Sequence, residues 1–538
     1  MPEHGFVAND GDPRNHWLLR KECGDGGHRA RIGTFKQFGP RRLWPSRVCL
    51  QNARGVPGPQ PTAGKDHVNT GAPLANPARD AFKFTRPFAG QRAKRVIGPL
   101  LRVTIGGLGM TNDEEFHGFM VLSSPMVNES IAIENARIVS CVPPAGGGAL
   151  RGGAMGALRV IERGHVIVEN GRIAAVGAGP AVTRAVSARI DARGRVLMPA
   201  AVDCHTHACW AGERWGEWEQ KRAGASYLEI LKAGGGILST VKAVRAAPQD
   251  ALASQLAERL AEMRELGTGA VEVKTGYGLD TATELKMFEA IRQVAKVLPM
   301  MVVPTLLLGH AVDADNPRQL EDMCALLETL ADRQHAGSVA VDAYCEEGAW
   351  SVAMCRTLLE KAKRLGFAVR IHADQFNALG GLEMALALGA RSVDHLEAST
   401  PAGIAALAAS RAIGVALPAC GFALDGRFAN GRALIDQGGA LAVASNWNPG
   451  SAPSPSVRFA AALASRHMRL TAHEAIAAVT WNAACVLGIE HQAGAIRPGM
   501  RALLQLLPHR DERAYIHEVA GAGPDVTIMG EDVSVRVA

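Results

Sequence analysis

RVLMPAAVDCHTH (residues 195–207) decides the fold. An apolar run closes on Asp203, and two histidines separated by one residue follow it. Successive side chains on an extended strand alternate between faces, so His205 and His207 point the same way and both imidazoles can reach one metal ion. A parallel β/α architecture places its chemistry at the C-terminal ends of its strands, which is where this pair falls. The fold therefore turns on whether other segments repeat the pattern.

They do. With 197–204 counted as the first strand, further apolar strand candidates appear at 269–274, 301–309, 340–345, 368–372, 392–396, 413–418 and 441–445. Helix-length segments fill most of the intervals. The clearest is PQDALASQLAERLAEMRELG, where Leu252, Leu256, Leu260, Met263 and Leu266 share one face and Gly267 ends it. Eight β-then-α units predict an α/β fold, a (β/α)8 TIM-like barrel, over 199–483. An open doubly wound sheet competes with it, but no glycine-rich phosphate loop follows the first strand.

Both flanks of the barrel have a different texture. From Ile131 onward, IAIENARIVS, RVIERGHVIVENGRIAAVG and ARIDARGRVLMP alternate in short runs broken by Asn170-Gly171 and Arg193-Gly194, which predicts a small antiparallel β unit over 126–198. AGAIRPGMRALLQLLP and PDVTIMGEDVSVRVA return to this texture, so 484–538 is expected to supply the second part of a small β-sandwich. Residues 1–125 are rich in Gly, Pro and Arg without sustained period. They are expected to be disordered or a non-native extension, with a start near Met110, Met120 or Met126 favoured over a transit peptide.

The composition narrows the function classes. A chain of 538 residues, 47% apolar and 20% charged, can bury an enzyme-sized core. The first 110 residues hold 18 Lys+Arg against 7 Asp+Glu, so the net +6 comes from that end and the remainder carries −5. A basic body, which would point to nucleic acid, is absent. LPMMVVPTLLLGHAV is too short to span a bilayer and no secretory h-region follows the first residues. Ten cysteines without CxxC pairs suit a reducing compartment, so a cytoplasmic protein acting on a small molecule is expected, without nucleic-acid or membrane partners.

Polar clusters gather at the predicted strand ends. The fifth strand ends IHADQ with His372 and the sixth ends DHLE with His395. A lone histidine is more often a satisfied core or surface residue than a ligand, but strand-end histidines from three strands of one barrel form a nitrogen-rich set suited to zinc or ferrous iron. VKTGYG presents Tyr277 and LGH presents His310. Arg214, in the loop after His207, can fork a substrate carboxylate or stand as a solvated surface charge. The glycine run AGGGILST (residues 233–240) reads as a closing loop, a phosphate cradle or a hinge.

These residues fall within DCHTHACWAGER, RAGASYLEILKAGGGILSTV, VEVKTGYGLD, IHADQ, DHLE and NPGSAP, and with them the chain resembles the imidazolonepropionases of the amidohydrolase superfamily from about Ile131 to Pro508. The resemblance implies hydrolysis of 4-imidazolone-5-propanoate to N-formimidoyl-L-glutamate in histidine degradation. It implies one divalent or ferric metal ion per chain, zinc or iron, ligated by His205, His207 and His372 and by a strand-eight aspartate. It places Arg214, Tyr277, His310, Gln375, Asn448, Gly450 and Ser451 on substrate-binding positions and His395 as a non-ligand histidine at the metal, and it leaves a homodimer open.

At strand eight the family's Asp-x-Asn-Pro-Gly is replaced by Asn446-Trp447-Asn448-Pro449-Gly450. Asn446 then occupies both the metal-ligand and the catalytic position. Its amide can offer a carbonyl oxygen but cannot take a proton near neutral pH. His395, Asp374 and Glu397 are the candidates to replace that function. A hydrolase of this family, active or attenuated, is expected, beside two other readings: a non-catalytic homologue that binds a small molecule, and a related cyclic-amide hydrolase.

Overall fold

The computed structural model describes residues 103–105, 118–122, 130–181, 186–224, 229 and 235–537. Eight parallel strands follow one another in chain order: β8 (Ala201–Asp203), β9 (Thr268–Lys274), β10 (Met301–Gly309), β11 (Ala340–Cys345), β12 (Ala368–Ala373), β13 (Ser392–His395), β14 (Ile413–Ala416) and β15 (Ala440–Val443). The cylinder closes just past the ends of β8 and β15, where Thr206 bridges Trp447 in parallel and the His207 N–H donates to the Trp447 carbonyl at 2.9 Å. The helices between strands bury one face each. In Gln249–Glu265, Leu252, Leu256, Leu260 and Met263 are buried as the periodicity requires, while Leu266 caps the helix half-buried.

The first strand candidate, 197–204, is two strands. Met198 and Leu197 of β7 (Val196–Pro199) pair antiparallel with β16 (Leu503–Leu506), and only after Ala200 does the chain enter the barrel as β8. Apolar character alone does not distinguish one buried strand from two joined at a bend. The small β-sandwich is built from both flanks, through β3 (Ser130–Cys141), β4 (Leu158–Glu169), β5 (Arg172–Ala178), β6 (Ala188–Asp191), β7, β16, β17 (Val526–Met529) and β18 (Asp532–Val537).

This unit is mixed rather than antiparallel. The β4–β5 hairpin turns on Asn170 and Gly171, both at positive φ as a tight two-residue turn demands. Arg193 and Gly194 also take positive φ, but they join β6 to β7 end on, and both of those strands run parallel to β3. Within residues 1–125, β1 (Val103–Ile105) pairs with β6 and β2 (Gly118–Leu122) pairs with β18. The expectations for the rest of that segment lie outside the described residues. Among the described residues no helix is long and apolar enough to cross a membrane, and all eight cysteines are free.

Candidate functional site

The barrel interior below the site is charged rather than oily, and each charge has a counterpart from another strand. Glu272 and Lys274 alternate with valines on β9, Asp342 stands on β11, Arg370 on β12 and Asp394 on β13, all fully buried. Lys274 Nζ lies 2.8 Å from both Glu272 and Asp342, and the Arg370 guanidinium spans Glu272, Asp394 at 2.5 Å and the Cys204 carbonyl at 3.0 Å. Burying such groups unpaired would cost several kcal/mol each.

Two of these carboxylates orient the histidines above them. His205 Nδ1 is 2.6 Å from Asp394 Oδ2, and His372 Nδ1 is 3.1 Å from Asp342 Oδ1. A proton held on each Nδ1 leaves the Nε2 lone pairs facing inward. There His372 Nε2 approaches His207 Nε2 at 3.4 Å, His205 Nε2 is buried without a hydrogen-bond partner, and the ligand nitrogens of the three rings lie within 4.8 Å of one another. Burial, followed by nearby cations, drives His205 and His207 well below the usual imidazole range, and burial takes His372 to about 4. Three neutral imidazoles whose lone pairs converge repel one another unless a cation sits between them, and this donor set fits zinc or iron.

Asn446 stands at the closing seam. Its N–H donates to the His205 carbonyl at 3.0 Å, its backbone is left-handed (φ 55°), and its buried Oδ1 has no hydrogen-bond partner. Asn and Asp both tolerate this conformation, so either residue fits the chain path here. Asp203, below it, accepts from the Ser445 N–H at 3.1 Å, and burial pushes its carboxyl up to about 7.

The other predicted residues surround this centre. The His310 ring stacks on His207 with centroids 5.0 Å apart, held by its Nδ1 contact with the Gly276 carbonyl at 2.8 Å, and Tyr277 lies 5.3 Å from His310 and 6.0 Å from His207. Arg214 is pinned by Glu217 through Nε at 2.9 Å and Nη2 at 2.8 Å, and its Nη1 lies where a Cβ on Gly450 would intrude, so a side chain at 450 would displace the guanidinium. Asn448 spends its side chain on its own loop: Oδ1 accepts from the Gly450 and Ser451 N–H groups and Nδ2 donates to the Asn446 carbonyl.

His395, in a positive-φ backbone, has its ring 5.5 Å from His372 and 6.0 Å from His205, with Nδ1 3.3 Å from Glu397 Oε1. Asp374 is occupied otherwise, accepting from Ser399 at 2.8 Å, and burial raises it to about 6. Of the glycine run, Gly236 opens the helix Ile237–Ala246 and donates to Glu217 at 2.9 Å, while residues 231–234 lie outside the described residues. Sequence reasoning missed Tyr344, which donates to Gln375 at 2.8 Å, and Cys420, which Gln375 reaches at 3.5 Å. It also missed the interior charges. Their signal was available: charged residues at every second position of otherwise apolar strands, as in VEVK, AVDAY and VRIH.

Fold and site together define a metal-dependent barrel hydrolase. The sequence profile of the amidohydrolase family matches residues 196–532. Solved structures share the fold at low identity: a 5-methylcytosine deaminase from Klebsiella pneumoniae (TM-score 0.57, 16% identical, 74% of this chain and 96% of that one) and an adenosine deaminase from Xanthomonas campestris with bound zinc (0.58, 18%, 75% and 92%). Curated relatives are nearer: the imidazolonepropionase of Herpetosiphon aurantiacus is 43% identical over 399 residues, 72% of this chain and 93% of its own length, and that of Deinococcus radiodurans is 42% identical over 374 residues, 70% and 92%. The chain belongs to the amidohydrolase family and, within it, to the imidazolonepropionases.

Proposed function

We propose that this chain hydrolyses the ring amide of 4-imidazolone-5-propanoate, giving N-formimidoyl-L-glutamate in histidine degradation. The convergence of three imidazoles from β8 and β12 on one point carries this reading, and identity above 40% to imidazolonepropionases over nearly their whole length supplies the substrate. His205, His207 and His372 would hold one zinc or iron ion, with the unpartnered Asn446 Oδ1 as a neutral fourth donor. Such an ion supplies Lewis acidity to a ring carbonyl and makes a water acidic enough to react near neutral pH.

The chain's own residues do the rest. Arg214, steadied by Glu217, forks the propionate carboxylate beside Gly450, while Tyr277 and His310 pack on the imidazolone ring and Gln375 addresses its edge. Asn448 and Ser451 shape the loop that faces them. Asn446 cannot hold the proton shed by the attacking water, and the buried His395–Glu397 pair takes that role: Nδ1–H donates to Glu397, and Nε2 holds the proton until the departing ring nitrogen needs it. A small-molecule substrate, a cytoplasmic setting and a homodimer accord with this reading.

Asn446 itself favours a second reading, a homologue that keeps the pocket and binds the ligand without turnover. Metal analysis combined with imidazolone consumption, on the wild type and on Asn446→Asp, separates the two. Bound metal with slow turnover that rises in Asn446→Asp supports the hydrolase. Absence of turnover in both proteins overturns it.

A further inference from the structure

Besides the histidine triad, the described residues hold one other group of metal-type donors: His395, Glu397 and Cys420, whose ligand atoms lie within 4.8 Å of one another. His395 and Glu397 come from the end of β13 and Cys420 from the short helix Pro418–Leu424 after its neighbour β14. All three side chains are buried, Glu397 at 5% and Cys420 at 1% exposure.

Two features set this cluster apart from ordinary core packing. A buried free cysteine usually sits among apolar groups, yet the Cys420 sulfur is met by the Gln375 amide at 3.5 Å and by the side chains of Asn446 and Ser451; burial still pushes its thiol up to about 12, so only a bound cation would displace the proton. Glu397 is likewise buried and faces His395 Nδ1 with both oxygens, Oε1 at 3.3 Å and Oε2 at 3.2 Å, and Oε2 has no hydrogen-bond donor besides that ring. One imidazole nitrogen, one carboxylate oxygen and one sulfur form a mixed set that selects zinc over magnesium or calcium, and a carboxylate and a thiolate together neutralise a dication.

We propose that His395, Glu397 and Cys420 form a second, thiolate-containing site for a zinc-type divalent cation, and that its occupation inhibits the enzyme. Binding forms a metal–sulfur bond and releases the thiol proton to solvent. It also takes the His395–Glu397 pair out of proton transfer, and this inhibitory consequence rests on the function proposed above, whereas the site itself does not.

The test is metal content and cobalt(II) absorption of the full chain. Wild type should bind two equivalents of zinc and, with cobalt, show thiolate-to-metal charge transfer. Cys420→Ala and Glu397→Gln should each keep one equivalent, with charge transfer gone from Cys420→Ala. His205→Ala should lose the other equivalent and retain the thiolate signal. Zinc added in excess should inhibit imidazolone hydrolysis by the wild type at concentrations at least about tenfold lower than for Cys420→Ala. One equivalent in the wild type without the thiolate signal, or an unchanged Cys420→Ala, overturns the proposal. Two equivalents in the wild type with no hydrolysis by Cys420→Ala either, which keeps the first equivalent alone, would uphold the site and refute only the function.

Discussion

On the function proposed above, Asn446 is the residue expected to set the rate. A positioned acid–base group contributes about 10²–10⁴-fold, and an amide keeps the shape of a carboxylate without its charge or basicity. Since the left-handed backbone at 446 accepts Asp as readily as Asn, Asn446→Asp is expected to raise kcat for imidazolone hydrolysis by about 10²-fold or more, read by loss of substrate absorbance; a rate no higher than wild type would mean that His395 and Glu397 already do this work in full. Glu397→Gln in the wild-type background should lower kcat by about tenfold or more and leave KM little changed, because it removes the negative charge behind His395 without touching the substrate's arm. The histidines of this centre could be recognised in the sequence because an alternate-residue pair after an apolar strand is a local pattern. Glu397 as the partner of His395 could not, since two-residue spacing beyond a strand end fixes no side-chain direction once His395 and Leu396 turn to φ of 90° and 75°.

At the scale of elements, the loop after β9 shows how Tyr277, a proposed substrate contact, is held. Glu284, on the first turn of the helix Thr281–Ala295, folds back to accept the N–H groups of Gly276 at 2.8 Å, Gly278 at 2.7 Å and Leu279 at 3.0 Å. That fixes Tyr277 between them and presents the Gly276 carbonyl to His310. Three buried N–H groups lose their acceptor in Glu284→Ala, so a loss of about 3 kcal/mol is expected in denaturant titration, with KM raised more than kcat is lowered. The interior network is the corresponding device between strands. Arg370→Met would strand the Glu272 and Asp394 carboxylates in the barrel, a loss of about 3–5 kcal/mol; a variant as stable as the wild type would show that the pairing contributes nothing net. Glu284 reads in the sequence as an ordinary helix N-terminal acid, and only the returning loop reveals its second role.

At the scale of the whole molecule, the three-histidine centre lies on the seam where the barrel closes. His205 and His207 stand on the extension of β8 that bridges to Trp447 beyond β15, and His372 stands across the barrel on β12. An ion held by all three ties the seam to the opposite wall, so its removal should be felt globally. Dialysis against a chelator is expected to lower the melting temperature, and restoring zinc at about 100 times its Kd should return about 2.7 kcal/mol. A melting curve indifferent to chelation would argue against a three-histidine site of any strength.

What the sequence determined by itself was the repeating order of strand and helix, the eight-fold count and the histidines at the strand ends, because each of these is written in periodicities a few residues long. The tertiary structure decided matters that depend on residues far apart in the chain. Residues 196–199 belong to the sandwich and 201–203 to the barrel because their partners, Leu503–Leu506 and Thr268–Lys274, lie in different sheets. His205 carries its inward lone pair because Asp394, 189 residues away, holds its other nitrogen. Hydrogen bonds and charge pairing act over a few ångströms of space, and that distance bears no fixed relation to separation along the chain.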